Sequence, residues 1–295
     1  MDSGDGAIIE ELFKYDKDLP LDAVGQIRAF QPDVSIEYHV TFTSAHDQRV
    51  PSLLTLPLHS SPPHPVVLIL HGVFGHKTSV NQIKRSAFLA KAGYATLRID
   101  GQYSGERALP SRTGIGLQAQ YCYRNRDAMI QTAVDLMRAV DYLATRNDID
   151  VRRIGFAGFS MGGAVGALFC AHEARVKAAV LGITGGDFTK LSIRASDKSA
   201  EERFRRAYRI VDPARHISRI SPRPLLMLNA SRDEVVPKAA TEALFEAAGE
   251  PKRIVWYDCG HADLPDELLE EMKRFYDSEL QGGERGVRTE GEKGN

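Results

Sequence analysis

Cysteine is scarce. The 295-residue chain carries three, Cys122, Cys170 and Cys259, and no two of them form a C-x-x-C pair. That spacing argues against both a disulfide framework and a zinc site, and leaves buried apolar side chains as the expectation for all three. Long apolar runs are missing too: nothing approaches the ~18 uninterrupted residues of a membrane-spanning helix. Net charge is nearly absent, with 38 Lys and Arg against 39 Asp and Glu, so no bulk field argues for nucleic acid or an anionic membrane as a partner. The opening "MDSGDGAIIEELFKYD" is acidic and has no apolar core. It does not read as a signal peptide, and a cytoplasmic location is the simplest expectation. No internal repeat is found.

What is present is ordinary globular composition, 43% hydrophobic and 26% charged, in a chain long enough for one large domain. Residues 36–43, "IEYHVTFT", alternate as a strand does, and "RVPSLLTLP" reads as the returning arm of a hairpin. "HPVVLILHG" (64–72) and "YATLRID" (94–100) are instead short continuous apolar runs, as expected for strands buried on both faces of a parallel sheet. "SVNQIKRSAFLAKAG" between them predicts a helix that stops at Gly93. Residues 126–146 place Met129, Ala133, Leu136, Val140 and Leu143 at helical spacing. Further strands are expected at "RIGFAGF", 176–184, 223–230 and 252–258, with helices at about 160–172, 238–248 and 264–280.

This alternation predicts an α/β fold: a doubly wound, mostly parallel sheet with an antiparallel N-terminal edge. Residues 36–280 would form the domain and 1–35 an N-terminal extension that covers part of the sheet or mediates homo-oligomer formation. About 186–222 is longer than a simple crossover needs and is read as a small helical, cap-like excursion over the carboxyl edge of the sheet. It carries six arginines from Arg203 to Arg219. A solvated helix face is the default for that run, with a clamp for an anionic acyl group as the sharper alternative. The polar, Gly-rich tail 281–295 is expected to be disordered.

"GFSMGG" is the most informative stretch. Gly-x-Ser-x-Gly alone is common, but here a strand precedes it and a helix rich in small residues follows, the setting of a nucleophile held on a tight turn. Gly158 and Gly162 supply the small neighbours that such a turn requires. A serine needs a base, and the base needs an acid to orient it. "LLMLNASRDEVVP" places Asp233 after one strand and "IVWYDCGHADLP" places His261 after the last. The order Ser160, Asp233, His261 is the one expected for a triad on this kind of sheet, and all three lie beyond strand carboxyl ends. Glu234 and Asp258 compete with Asp233, which leads by its position in the turn. Backbone N–H groups of Met161 and of Val73, in "LHGVFG", are the expected oxyanion-hole donors. Gly72, Phe74 and Val235 are candidate substrate contacts. His71 is expected to shape the oxyanion loop, and Asp100 and Gly101 to hold it in place.

Taken in order, "LHGVFG", "RIDGQYSGE", "GFSMGG", "SRDEVVP" and "CGH" resemble an α/β-hydrolase of the dienelactone-hydrolase-like and acetyl-esterase-like branch of serine hydrolases. The resemblance covers about residues 36–280. It implies a Ser160–Asp233–His261 triad that hydrolyses carboxylic esters of small molecules without a cofactor; no metal is expected, and with no large lid evident in the sequence short acyl chains are expected over long lipids. Dienelactone hydrolases proper use a cysteine nucleophile, so their substrate does not carry over. The same triad would also serve thioester hydrolysis, acyl transfer or peptide cleavage, and from another class a ligand-binding sensor on a hydrolase scaffold remains open.

Overall fold

A computed structural model describes residues 3–109, 114–191, 193 and 195–281. In chain order its elements are α1 (Ser3–Leu12), β1 (Val24–Gln31), β2 (Ser35–Thr43), β3 (Arg49–Pro57), β4 (His64–Leu70), α2 (Val80–Lys91) and β5 (Ala95–Ile99). There follow α3 (Cys122–Ala144), β6 (Ile149–Phe159), α4 (Met161–His172), β7 (Val176–Gly182), α5 (Lys198–Tyr208), β8 (Leu225–Ala230), α6 (Lys238–Ala247), β9 (Lys252–Tyr257) and α7 (Glu267–Leu280).

The nine strands form one sheet in the order β1-β2-β3-β5-β4-β6-β7-β8-β9. β1, β2 and β3 run antiparallel, with β3 pairing antiparallel onto β5; from β5 to β9 every pair is parallel. This is the α/β-hydrolase fold, a mostly parallel sheet with an antiparallel N-terminal edge. The pleat explains why the central strands read as unbroken apolar runs. Val66, Leu68 and Leu70 of β4 join the core formed with α3 and α4, while Val67 and Ile69 join the core formed with α2 and α7. Both faces of the strand are covered, so both sets of side chains must be apolar.

Part of the expected N-terminal extension is sheet. β1 pairs with β2 from Val24↔Thr41 to Gln31↔Ser35. Its residues are exposed on both faces, which removes the alternation that would have marked it as a strand. α1 lies on the core formed with α3 and α4 through Ile9, joined by Phe13 just after the helix; they are 2% and 3% exposed. In the Arg-rich excursion, α5 and short 3₁₀ turns bury Phe188, Phe204 and Tyr208. The expected disordered tail, Gln281 apart, lies outside the described residues.

Candidate active site

The parallel strands deliver their loops to one edge of the sheet, and the site is assembled there. β6 ends at Phe159 and α4 begins at Met161, so Ser160 alone makes the turn, with φ 56° and ψ −123°. A non-glycine residue with positive φ is strained by about 1–3 kcal/mol. The neighbours leave room for nothing larger than hydrogen. A Cβ at Gly158 would sit 2.2 Å from the Gly162 carbonyl oxygen, and one at Gly162 would sit 2.5 Å from the carbonyl oxygens of Leu70 and His71.

His261 Nε2 lies 3.0 Å from Ser160 Oγ. On the other side of the ring, His261 Nδ1 lies 2.7 Å from Asp233 Oδ2. The second carboxylate oxygen, Oδ1, accepts the N–H groups of Val235 (2.8 Å) and Val236 (2.7 Å). Burial by itself would raise the Asp233 carboxyl. The hydrogen bonds from His261 and from these two N–H groups outweigh it and hold the group below its ordinary value. Glu234 accepts the N–H of His261 at 3.1 Å, which fixes the loop, and Asp258 pairs with Arg232. Of the three acids considered from the sequence, Asp233 alone is placed on the imidazole.

The opposite wall is the loop after β4. His71 Nδ1 donates to the Gly72 carbonyl at 2.8 Å, and Nε2 accepts the Gly101 N–H at 3.0 Å. Burial pushes the His71 imidazole below its ordinary value, as this one-donor, one-acceptor arrangement requires. Asp100 accepts the N–H groups of Lys77 (2.8 Å) and Glu106 (2.9 Å) and ion-pairs with Lys77 Nζ. Neither Val73 nor Met161 donates its N–H to a partner among the described residues. Both donors stay available beside Ser160. All three cysteines are buried, and burial raises the Cys259 thiol, so the cysteine next to His261 is poorly suited to attack.

Two cavities meet at Ser160. One, of about 190 Å³, is bounded by Ala164, Phe188, Leu191, Phe204 and Val236, and among the described residues no charged side chain lines it. The excursion thus contributes apolar side chains to the site. Four of its arginines, Arg205, Arg206, Arg209 and Arg215, line another cavity with Asp187 and Asp212, which shares Phe188 and Phe204 with the first. The second cavity at Ser160, of about 310 Å³, lies on the side of His261 and is also bounded by Gly72, Arg85 and Leu264. Among the candidate substrate contacts, Gly72 and Val235 line one or the other cavity. Phe74 lines neither: it has φ 59° and its side chain is 67% exposed.

Arg85, within the stretch expected as a helix ending at Gly93, is not among the site residues expected from the sequence. A signal was available. Gln82, Arg85, Ser86, Leu89 and Ala90 share the buried stripe of α2, so Arg85 is a charged residue at a core-facing position of the 3.6-residue period.

Residues 51–268 match the dienelactone hydrolase family. Among curated relatives, a protein named "Putative carboxymethylenebutenolidase" from Escherichia coli K12 is 28% identical over 78% of this chain and 79% of that protein. The uncharacterized protein YfhR of Salmonella typhi is 30% identical over 44% of this chain, and the match spans 47% of that protein. Among solved structures, an acetyl xylan esterase from Paenibacillus sp. R4 superposes with a TM-score of 0.76 over 95% of each chain at 22% identity, a likeness of fold. With well over half of its length matched, the chain belongs to the dienelactone hydrolase family of ester-cleaving α/β-hydrolases.

Proposed function

We propose that Ser160, His261 and Asp233 act as a catalytic triad that hydrolyses short-chain carboxylic esters through an acyl-enzyme. The observation that carries this reading is the relay of two hydrogen bonds, 2.7 Å from Asp233 to His261 and 3.0 Å from His261 to Ser160, at the point where two cavities meet. His261 Nε2 takes the proton of Ser160 Oγ as the oxygen attacks the ester carbonyl, and Asp233 stabilises the imidazolium and holds the ring in its tautomer. The tetrahedral oxyanion is received by the N–H groups of Val73 and Met161, each such donor contributing about 3–4 kcal/mol in the transition state. The imidazolium then protonates the departing alkoxide. A water deprotonated by His261 attacks the acyl-serine, and the carboxylic acid leaves as Ser160 regains its proton.

Which cavity takes which half of the ester follows from the proton. The departing oxygen must reach His261 Nε2, so the alcohol lies in the cavity that His261 lines and the acyl chain in the apolar one. At about 190 Å³, with Phe188 and Phe204 in its wall, the acyl side supports a preference for short chains. The test is a series of p-nitrophenyl esters from acetate to octanoate. The wild type is expected to lose kcat/KM with chain length, and Ser160→Ala to lose kcat by about 10⁴-fold or more at unchanged secondary structure. A Ser160→Ala enzyme with unimpaired turnover overturns the proposal.

A further inference from the structure

Thr184 is 2% exposed and lines the acyl cavity. Its hydroxyl makes no hydrogen bond among the described residues, yet it is not sealed from that cavity. The other buried threonines differ. Thr55 bonds Glu37, Thr96 bonds Ser86, Thr132 bonds the Ala128 carbonyl, and Thr241 bonds the carbonyl of Thr184 itself. Among the described residues along this cavity, Ser160 and Thr184 alone have side chains that carry oxygen or nitrogen.

The backbone aims that hydroxyl. Ser160 donates its N–H to the Gly182 carbonyl at 2.8 Å, which ties the end of β7 to the turn that carries the nucleophile. Ile183 follows with φ 40°, a conformation that a β-branched residue adopts only under strain. Thr184 comes next, and its carbonyl accepts the Thr241 hydroxyl at 3.0 Å. Its methyl faces Gly163 in the first turn of α4, where an added Cβ would lie 2.8 Å from both Cβ and Cγ2 of Thr184. A threonine side chain is stiff at χ1, so a methyl packed on Gly163 leaves the hydroxyl to the cavity.

A plain alkyl chain that fills the cavity covers this hydroxyl without bonding it. A buried polar group left unpaired costs more than a typical hydrogen bond returns. The Thr184 hydroxyl is therefore a penalty against simple acyl chains, and the penalty is lifted by a chain that brings an oxygen of its own. Because a hydroxyl both donates and accepts, it can meet either a hydroxyl or an oxo group.

We propose that Thr184 is a specificity-determining residue of the acyl cavity, and that the site selects short acyl groups bearing an uncharged oxygen, hydroxyl or oxo, on a carbon near the ester carbonyl. The inference rests on the triad reading given above, because the position of His261 is what makes this the acyl side. The bound acyl oxygen completes the hydrogen bonding of Thr184, in a wall that is otherwise apolar.

The test sets ethyl butyrate beside the ethyl esters of 2-hydroxybutyrate and 3-hydroxybutyrate, each as separate enantiomers, and of 3-oxobutyrate. All share one alcohol and one chain length. The quantity read is kcat/KM for the oxygenated ester over the plain one, compared between enzymes so that differences in intrinsic reactivity cancel. Thr184→Val removes the hydroxyl and keeps the shape of the side chain. For at least one oxygenated ester the ratio is expected to fall about fivefold or more in Thr184→Val, and to be partly restored in Thr184→Ser. The KM of ethyl butyrate is expected to fall in Thr184→Val, because the wall it meets has become apolar. An unchanged ratio for every ester overturns the proposal and marks Thr184 as a packing residue of the loop after β7. Should Thr184→Val not fold, Thr184→Ser and Thr184→Ala, which differ by the hydroxyl alone, take its place, and equal ratios in that pair overturn the proposal. Loss of turnover in Ser160→Ala with an unchanged ratio in Thr184→Val removes the hydroxyl contact and leaves the triad standing. Turnover that persists in Ser160→Ala defeats the triad reading, while the Thr184 ratio still reports whether that side chain touches the acyl group.

Discussion

The two ends of α4 follow opposite rules. At its N-terminus the chain passes through a strained serine with glycines two residues away on each side, and the Met161 N–H has no partner among the described residues. At its C-terminus the groups of His172 are engaged: its ring stacks on Phe13, the residue after α1, at 4.1 Å, and its Nε2 lies 3.2 Å from His216 Nδ1. Small residues and unpartnered donors keep one end available to a ligand. Aromatic stacking and paired nitrogens use up every group at the other. The helix dipole favours an anion at the first end and a cation at the second. The oxyanion reading uses the first preference, while at the second end burial keeps the imidazole neutral against it.

At the N-terminal end, substitutions of the site's polar groups are expected to damage chemistry more than stability, and substitutions of its glycines to damage stability. Asp233→Asn preserves both backbone hydrogen bonds at Oδ1 but presents the wrong partner to His261 Nδ1. A fall of about 10⁴-fold in kcat is expected, with a thermal midpoint within a few degrees of wild type by calorimetry. A small kinetic effect would mean that the carboxylate orients a loop and not a base. Gly162→Ala sharpens the contrast from the steric side. Its Cβ would lie 2.5 Å from two backbone carbonyl oxygens, which no rotamer change relieves. A loss of at least about 3 kcal/mol in stability is expected from such overpacking, read by denaturant titration. Ala164→Leu, one turn into the helix on the acyl side, is milder. It fills part of a cavity of about 190 Å³, and the hexanoate-to-acetate ratio of kcat/KM is expected to fall about tenfold, in line with the 1–3 kcal/mol attached to a methylene in an apolar pocket.

The same contrast explains what could be read from the sequence. The N-terminal end of α4 is governed by short-range rules. A tight turn needs glycine at fixed offsets, and buried parallel strands need apolar runs, so the strand–turn–helix context and the order Ser160, Asp233, His261 are visible in a linear string. The strands and helices from 36 to 280 were legible for the same reason. The C-terminal end depends on partners brought together from far apart. His172 meets Phe13 and His216, none of which is its neighbour in sequence. α1, with two glycines in "SGDGAIIEEL", has weak intrinsic helix propensity and is sustained by docking Ile9 and Phe13. β1 has no covered face and therefore no alternation to detect. Arg85 was hidden by a similar cause: the ring that buries it, Phe159, lies in β6, beyond a whole helix and strand.

The C-terminal end is expected to show itself through acid. Burial foremost, then the mutual proximity of the rings, pushes His172 down to about 4, against the raising effect of Glu10 and with a further lowering from Arg219. Burial likewise takes His216 down to about 4; its bond to the Ile210 carbonyl and Glu10 act upward, Arg219 and Arg215 downward. Both imidazoles are therefore neutral in the folded protein through a range in which the unfolded chain, with histidines near 6.5, takes up protons. The unfolded state binds more protons there, so stability rises with pH. The contribution is complete above about 6.5 and is lost as the pH falls toward 4. Each histidine adds about 1.4 kcal/mol per pH unit to the slope within that window. His172→Phe keeps the stack on Phe13 and removes one of the two titrating groups. Its offset in stability at neutral pH reports packing and the lost partner of His216, but its slope reports the proton. Denaturant titrations of wild type and His172→Phe between pH 6.5 and 4.5 are expected to differ in slope by about one proton, the variant being the flatter. Equal slopes would mean that His172 is already protonated in the folded state, as the helix dipole alone would have it, and the two ends of α4 would then obey the same electrostatic rule.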